Sequence, residues 1–167
     1  MTVDAEVVAL VRRAQAGDTL AMNDLLDHVA PYVASLCGPI ALSEGSDAAQ
    51  EALITVFRSL KTLRDPAALY GWVRQISVRT AIRMASRHRK SVPGDLSELP
   101  ASGHAHLHSD ILDVLNRLSP EHRAILLLRD RFGLTEHEAA EHLNLEVGTV
   151  KSRLHRARDY FRKAWTS

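Results

Sequence analysis

The sequence has a single cysteine, Cys37, which excludes an internal disulfide and any zinc site built on several thiolates. Its neighbours Leu36 and Pro39 are apolar, so Cys37 reads as a small core residue rather than a reactive thiol. Also lacking is any apolar run approaching the roughly 20 residues that cross a bilayer. Asp4 and Glu6 precede the first apolar stretch, unlike a secretory leader, so a cytoplasmic protein with no membrane insertion of its own is expected. No stretch alternates apolar and polar residues between hairpin turns, which removes the signature of half-buried strands. Catalytic signatures are missing too: there is no set of nucleophile, base and orienter, no glycine-rich phosphate loop and no paired-carboxylate motif. Neither an enzyme nor a cofactor is expected.

What is present is an ordinary globular composition, 167 residues with 46% hydrophobic and 25% charged, enough for one domain or two small ones. Almost every segment has helical spacing, which predicts an all-α protein. The first helix spans about Asp4 to Ala16 and stops at Gly17; Asp18 caps the next, which carries Leu20, Leu25, Leu26 and Val29 towards Leu36. Ser46 is the expected cap of a third helix reaching about Leu60. Asp65 followed by Pro66 marks the start of a long fourth helix ending near Arg89. Ser109 opens a short helix, Ser119 with Pro120 opens another carrying Ile125 to Leu128, and Thr135 with Glu138 predicts a capping box. The last helix spans Val147 to Ala164.

Between these two sets of helices, residues 91–108 are rich in Pro, Gly and Ser and lack periodicity. They read as a flexible linker joining two small helical domains, 1–90 and 109–167. Within the linker, His104, His106 and His108 alternate and would project on one side of an extended chain. A metal site also needs a further ligand and groups that hold each imidazole, and a linker offers neither, so no metal is expected. Elsewhere His28 and His122 read as surface residues.

The formal net charge of +1 hides a segregation. Residues 1–90 hold 11 Lys/Arg and 9 Asp/Glu, 91–110 hold none and 3, and 111–167 hold 10 and 8. Residues 135–146 contain four Glu and no Lys or Arg, whereas 147–163 contain six Lys/Arg against Asp159 alone. Basic clustering of that kind suits a polyanion, because neutralised phosphates release counterions. On a helical wheel of the last helix, Val150, Leu154, Ala157 and Phe161 share one face, and Lys151, Ser152, His155 and Arg156 share the other. Ala139, Ala140 and Leu143 supply the facing contact of the preceding helix, and Asn144 accepts the left-handed turn conformation. This is a helix-turn-helix pattern; Glu136, Glu138 and Glu141 would oppose phosphates, so the second helix is the one that enters a groove.

The string from Gly133 to Arg158, GLTEHEAAEHLNLEVGTVKSRLHRAR, closely resembles region 4 of bacterial RNA polymerase sigma factors of the extracytoplasmic function (ECF) group of the sigma-70 family. Leu118, Ser119, Pro120 and Arg123 match its lead-in. A similar motif ends many two-component response regulators, but residues 1–90 carry none of the apolar strands or the acidic pocket of a receiver domain. Instead, Arg13 to Asp18 with Ala21 and Leu25 resembles sigma region 2.1, and Asp47 to Glu51 resembles region 2.2. On the third helix, Ala49, Leu53, Val56, Phe57 and Leu60 form the expected packed face. Asp47, Gln50, Glu51, Ile54 and Arg58 form the opposite stripe, with Ile54 alone among polar groups as an interface anchor would be. Leu69 to Ile76, leading to Arg79, Arg83, Arg87, Arg89 and Lys90, resembles regions 2.3 and 2.4. Arg79 and Arg83 stand where relatives commonly carry Asn and Asp.

The resemblance implies an alternative sigma factor with regions 2 and 4 and no further C-terminal domain. Its implied partners are core RNA polymerase, through the β' clamp helices and the β flap, promoter DNA, and an anti-sigma factor. It implies that Asp47, Gln50, Glu51 and Ile54 contact the polymerase. Lys61, Arg64, Trp72, Arg79, Arg83 and Arg87 would face the minus-ten element, and Lys151, Ser152, Arg153, His155 and Arg156 the minus-thirty-five element. Two alternatives stay open on the residues: a response-regulator-like factor that binds duplex DNA as a dimer, and an interaction module that titrates a regulator.

Overall fold

Side chains that accept hydrogen bonds from the main chain start four of the eight α-helices among the described residues. A computed structural model of the chain describes residues 3–91 and 107–166, and all regular structure among them is helical. Asp4 accepts from the Val7 amide to open α1 (Ala5–Gln15), and Asp18 accepts from Ala21 to open α2 (Thr19–Ala41). Gly17, at φ +98°, makes the turn between them. α3 (Gly45–Ser59) follows a 3-10 turn at Leu42–Glu44, and α4 (Leu69–Ser91) follows another at Pro66–Ala68, capped by Asp65. In the second half come α5 (Leu107–Arg117), α6 (Pro120–Leu126, capped by Ser119), α7 (Glu136–Leu143) and α8 (Val147–Thr166). A π-helical turn, Leu127–Arg131, ends α6; its wider loop lets the Phe132 amide reach back to the Leu127 carbonyl at 3.1 Å.

The core is continuous. Leu25, Val29, Val33, Leu36 and Ile40 of α2, Val73 and Val78 of α4, and Ile125 and Leu128 of the second half have no exposed surface and belong to one cluster. α2 and α4 each pack on α6, and α4 also packs on α7. By length and composition alone, Thr19–Thr62 contains a helical stretch apolar enough to cross a membrane, where none was expected. Its apolar face in α2 is the one buried here against α3 and α4, as in the central helix of a helical core.

Several expectations from the sequence are corrected. Ser46 does not cap α3, which begins one residue earlier, and Glu44 at the cap position makes no side-chain hydrogen bond. The cause is a close crossing: a Cβ on Gly45 would lie 2.9 Å from Gly38 Cα, so α2 and α3 meet at paired glycines. That approach turns α3 towards its small side, burying Ala48, Ala52, Val56 and Leu60, while Ala49 and Leu53 are half-buried and Phe57 is 54% exposed. Leu20 likewise faces solvent, at 72% exposure, outside the α2 core stripe. His122 is half-buried, its Nδ1 paired with Ser119 Oγ at 2.9 Å and its Nε2 buried without a hydrogen-bond partner. Helix α5 starts at Leu107, ahead of Ser109. Of the linker, residues 92–106, including His104 and His106, lie outside the described residues, while Ser91 belongs to α4 and His108 to α5.

Candidate nucleic-acid interface

The α7–α8 unit is built by local rules. Thr135 accepts from the Glu138 amide at 3.2 Å while the Glu138 carboxylate accepts from the Thr135 amide at 2.7 Å, a closed capping box. The Thr135 amide, and then the Thr135 hydroxyl at 2.8 Å, donate to the Glu138 carboxylate and hold it below its ordinary pKa. Asn144, at φ 53°, ends α7 in the left-handed conformation, and the Leu145 amide donates back to Ala140 at 2.9 Å, in the manner of a Schellman turn. Ala139, Ala140, Val150, Leu154 and Ala157 are buried where the two helices cross. Packing that face leaves Lys151, Ser152, His155 and Arg156 exposed along the first turns of α8, with Arg153 half-buried beside them. Lys151 Nζ lies 3.6 Å from Glu136 on α7, and Asp159 pairs with Lys163 at 2.9 Å one turn beyond. Arg158 pairs with Asp130, tying α8 to the π-helical turn.

A second basic surface runs along α4, where Arg79, Arg83 and Arg87 are exposed. Arg79 Nε donates to the His142 carbonyl at 3.1 Å and Nη2 to the Glu141 carbonyl at 3.5 Å, so its guanidinium sits at the C-terminal end of α7. Arg83 pairs with Glu51 of α3 at 3.4 Å. Lys61 and Arg64 are exposed on the segment joining α3 to α4. That segment is pinned by Gln15, whose amide donates to the carbonyls of Leu60 and Leu63 at 2.9 and 2.8 Å. Trp72 is half-buried and packs against the core. The α4 side chains and those of α8 therefore form two separate sets, each gathered on one helix face.

On α3, Asp47, Gln50 and Ile54 are exposed and Glu51 is half-buried. Ile54 is not alone among polar groups. With Leu26, Ala30, Leu53 and Phe57 it lines a shallow apolar depression beside Asp27. Phe57 was missed because its spacing fits the packed face; the small residues Ala48 and Ala52, one position earlier on each turn, were the signal that α3 leans the other way. No group of three or more His, Cys, Asp or Glu among the described residues is arranged to hold a metal ion.

Residues 108–160 match the family model "Sigma-70, region 4", and residues 8–61 match a helix-turn-helix domain model. The chain is 31% identical over 170 residues to the ECF RNA polymerase sigma-E factor of Escherichia coli K12, covering 90% of this chain and 89% of that protein. Its fold is similar to that of the sigma factor RpoE from Bartonella quintana in complex with the anti-sigma factor NepR, with a TM-score of 0.66 and 19% identity over 86% of this chain and 96% of that one. It is also similar to CnrH in complex with the cytosolic domain of CnrY, with a TM-score of 0.65 and 18% identity over 96% and 97% of the two chains.

Proposed function

The chain belongs to the ECF RNA polymerase sigma factors and is an alternative sigma factor for transcription initiation, and from that premise we propose how its surfaces divide the work. Its family comprises regulators of transcription rather than enzymes; the chemistry belongs to the polymerase it directs. In this reading residues 1–90 act as region 2, 91–108 as the connection and 109–167 as region 4. The exposed α8 face carries the proposal. Lys151, Ser152, His155 and Arg156 enter the major groove of the minus-thirty-five element, with Arg153 on the phosphate backbone. Lys61, Arg64, Arg79, Arg83 and Arg87 line a track for the minus-ten strand, with Trp72 beside it. Asp47, Gln50, Glu51 and Ile54, joined by Phe57, meet the β' clamp helices, and region 4 meets the β flap.

An anti-sigma partner fits one further feature. Pro39 and Leu42 of the first half and Leu115, Leu127 and Phe161 of the second line an open apolar groove of about 1300 Å³. Arg131, Arg158 and Arg162 stand among its lining residues, so the groove suits an amphipathic helix with acidic flanks. The reading as a whole is tested by run-off transcription with purified core polymerase and a promoter library. Initiation at defined promoters only when this chain is added supports it. Dimeric binding to duplex DNA with no promoter-dependent initiation would replace it with the response-regulator alternative.

A further inference from the structure

We propose that the depression between the α1–α2 turn and the end of α3 is a binding site for one unstacked adenine nucleotide, with its base against Phe57 and its phosphate on Arg58 and Lys61. The depression holds about 350 Å³, at the small end of the range that ligand pockets occupy. Its floor is apolar, from Ala14, Met22 and the buried Leu60. Phe57 forms one wall; it is 54% exposed, and its ring meets no other ring among the described residues. The same side chain borders the α3 depression that contains Ile54, so Phe57 divides the two.

Two of the polar side chains at this depression are already committed. Gln15 donates to the Leu60 and Leu63 carbonyls and so fixes the wall. Asp18 accepts from the Ala21 amide at 3.0 Å and pairs with Arg13 at 2.6 Å, which together hold its carboxyl below the ordinary pKa. Its charge is therefore answered by Arg13 and leaves Arg58 and Lys61 uncompensated. Arg58, Lys61, Thr19 and Asn23 are exposed, and their side chains make no hydrogen bond or ion pair among the described residues. An aromatic face, two cations, a hydroxyl and an amide thus remain open around one small space. An inorganic anion would use the cations and leave the ring; an apolar peptide would use the ring and leave the cations. A nucleotide uses both, because any base stacks on an aromatic face and phosphate takes charge-assisted hydrogen bonds. The Asn23 amide matches the N6 and N7 edge of adenine, which favours that base.

The site brings Asn23 and Arg58 into use, and it lies where two surfaces assigned above meet, Lys61 on the minus-ten track and Phe57 on the polymerase face. The same nucleotide chemistry has two sources, a free nucleotide or a nucleotide turned out of a melted DNA strand. The second rests on the function proposed above, and the first does not.

The test is an NMR titration of the full chain without polymerase, with the Gly17 backbone amide and the Asn23 side-chain amide as reporters. The probes are deoxyadenosine monophosphate and a single-stranded oligodeoxynucleotide carrying one adenine in a thymine tract. Saturable shifts at both reporters are expected. Shifts with the mononucleotide identify a free-nucleotide site, and shifts with the oligonucleotide alone identify capture from a strand. Phe57→Ala is expected to weaken binding about tenfold, the scale of one base stacked on an aromatic side chain. Arg58→Ala should weaken the mononucleotide but not adenosine, which has no phosphate, and Asn23→Leu should remove the preference for adenine over cytosine. These side chains are exposed, so the variants keep the fold. No shift with either probe, or shifts that Phe57→Ala and Arg58→Ala leave unchanged, would overturn the site. Failure of run-off transcription with nucleotide binding intact would instead remove the promoter reading and leave the site standing.

Discussion

Helices α8 and α4 both present basic side chains at helical spacing, yet they differ in what those side chains already hold. On α8 the exposed face has one ionic contact, Lys151 with Glu136 at 3.6 Å, and a solvent-exposed pair of that kind contributes little. On α4, Arg79 closes the end of α7 and Arg83 faces Glu51, a residue of the proposed polymerase surface. Charge clustering therefore identifies both surfaces as suited to a polyanion but does not rank them. The existing partners do: on the proposed reading α8 meets DNA with its face already open, whereas Arg79 and Arg83 of α4 exchange intramolecular contacts for phosphate.

The sharpest way to break this contrast is at Arg156. An arginine on guanine O6 and N7 is worth about 1–3 kcal/mol of discrimination, so Arg156→Ala should relax specificity at one or two minus-thirty-five positions by roughly five- to 150-fold. Arg153→Ala should weaken binding evenly across sequences. Selection of preferred sequences by each variant checks this, and unchanged preference in the Arg156 variant would move the reading face elsewhere.

Next in size is the polymerase surface. Charged replacements at Gln50 and Ile54 together should weaken core binding by more than about 1.4 kcal/mol, a factor of ten, with helicity retained. Phe57→Glu is expected to act in the same direction, since Phe57 lines the same depression. Unchanged core affinity in folded variants would reassign that face of α3.

A smaller effect separates the α4 arginines from each other. Neutralising any one that meets phosphate should lower the salt slope of fork-DNA binding by about one. Arg87→Ala should lower affinity more than Arg79→Ala, because losing Arg79 also frees the end of α7. Equal losses would mean that the Arg79 tether has no bearing on DNA binding.

The smallest expected effect is that of pH on stability. His142 Nδ1 is buried without a hydrogen-bond partner, and desolvation, followed by the Arg74 and Arg79 charges of α4, lowers its pKa below the ordinary 6.5; Glu141 and Glu138 on its own helix oppose this. His122 moves in the same direction, by desolvation and then Arg153. A histidine whose folded pKa is depressed takes up fewer protons folded than unfolded over the window from about 6.5 down to that lowered value. Stability should therefore fall as pH drops through that window and be flat, as far as these groups go, above it. The thermal midpoint at pH 7.5 and 5.5 checks the sign, and loss of the difference in His142→Gln assigns its share.

What the sequence disclosed follows from the range of the interactions. Caps act over about three residues, so Asp18, Asp65, Ser119 and the Thr135–Glu138 box were legible, as was Asn144 at a left-handed turn. The two faces of α8 followed from spacing alone. The rotation of α3 was not legible, because it depends on Gly45 meeting Gly38 on another helix. Nor was the bond from Arg123 to the end of α2: Arg123 and Ile40 are 83 residues apart, and no local pattern marks a carbonyl as an acceptor. The apolar stretch Ile125 to Leu128 gave a helix but not the π-helical turn that ends it, at which Leu128 and Phe132 pack into the shared core.

The most direct measurement of the proposed division of labour is run-off transcription from a library randomised at both promoter elements. It compares the wild-type chain with a Lys151→Ala, His155→Ala, Arg156→Ala triple variant and an Arg79→Ala, Arg83→Ala double variant. The expected result is promoter-dependent initiation by all three, with the upstream preference altered only in the α8 variant and the downstream preference kept in the α4 variant at reduced yield. An unchanged upstream preference in the α8 variant, or a downstream preference rewritten by the α4 variant at unchanged salt slope, would contradict it.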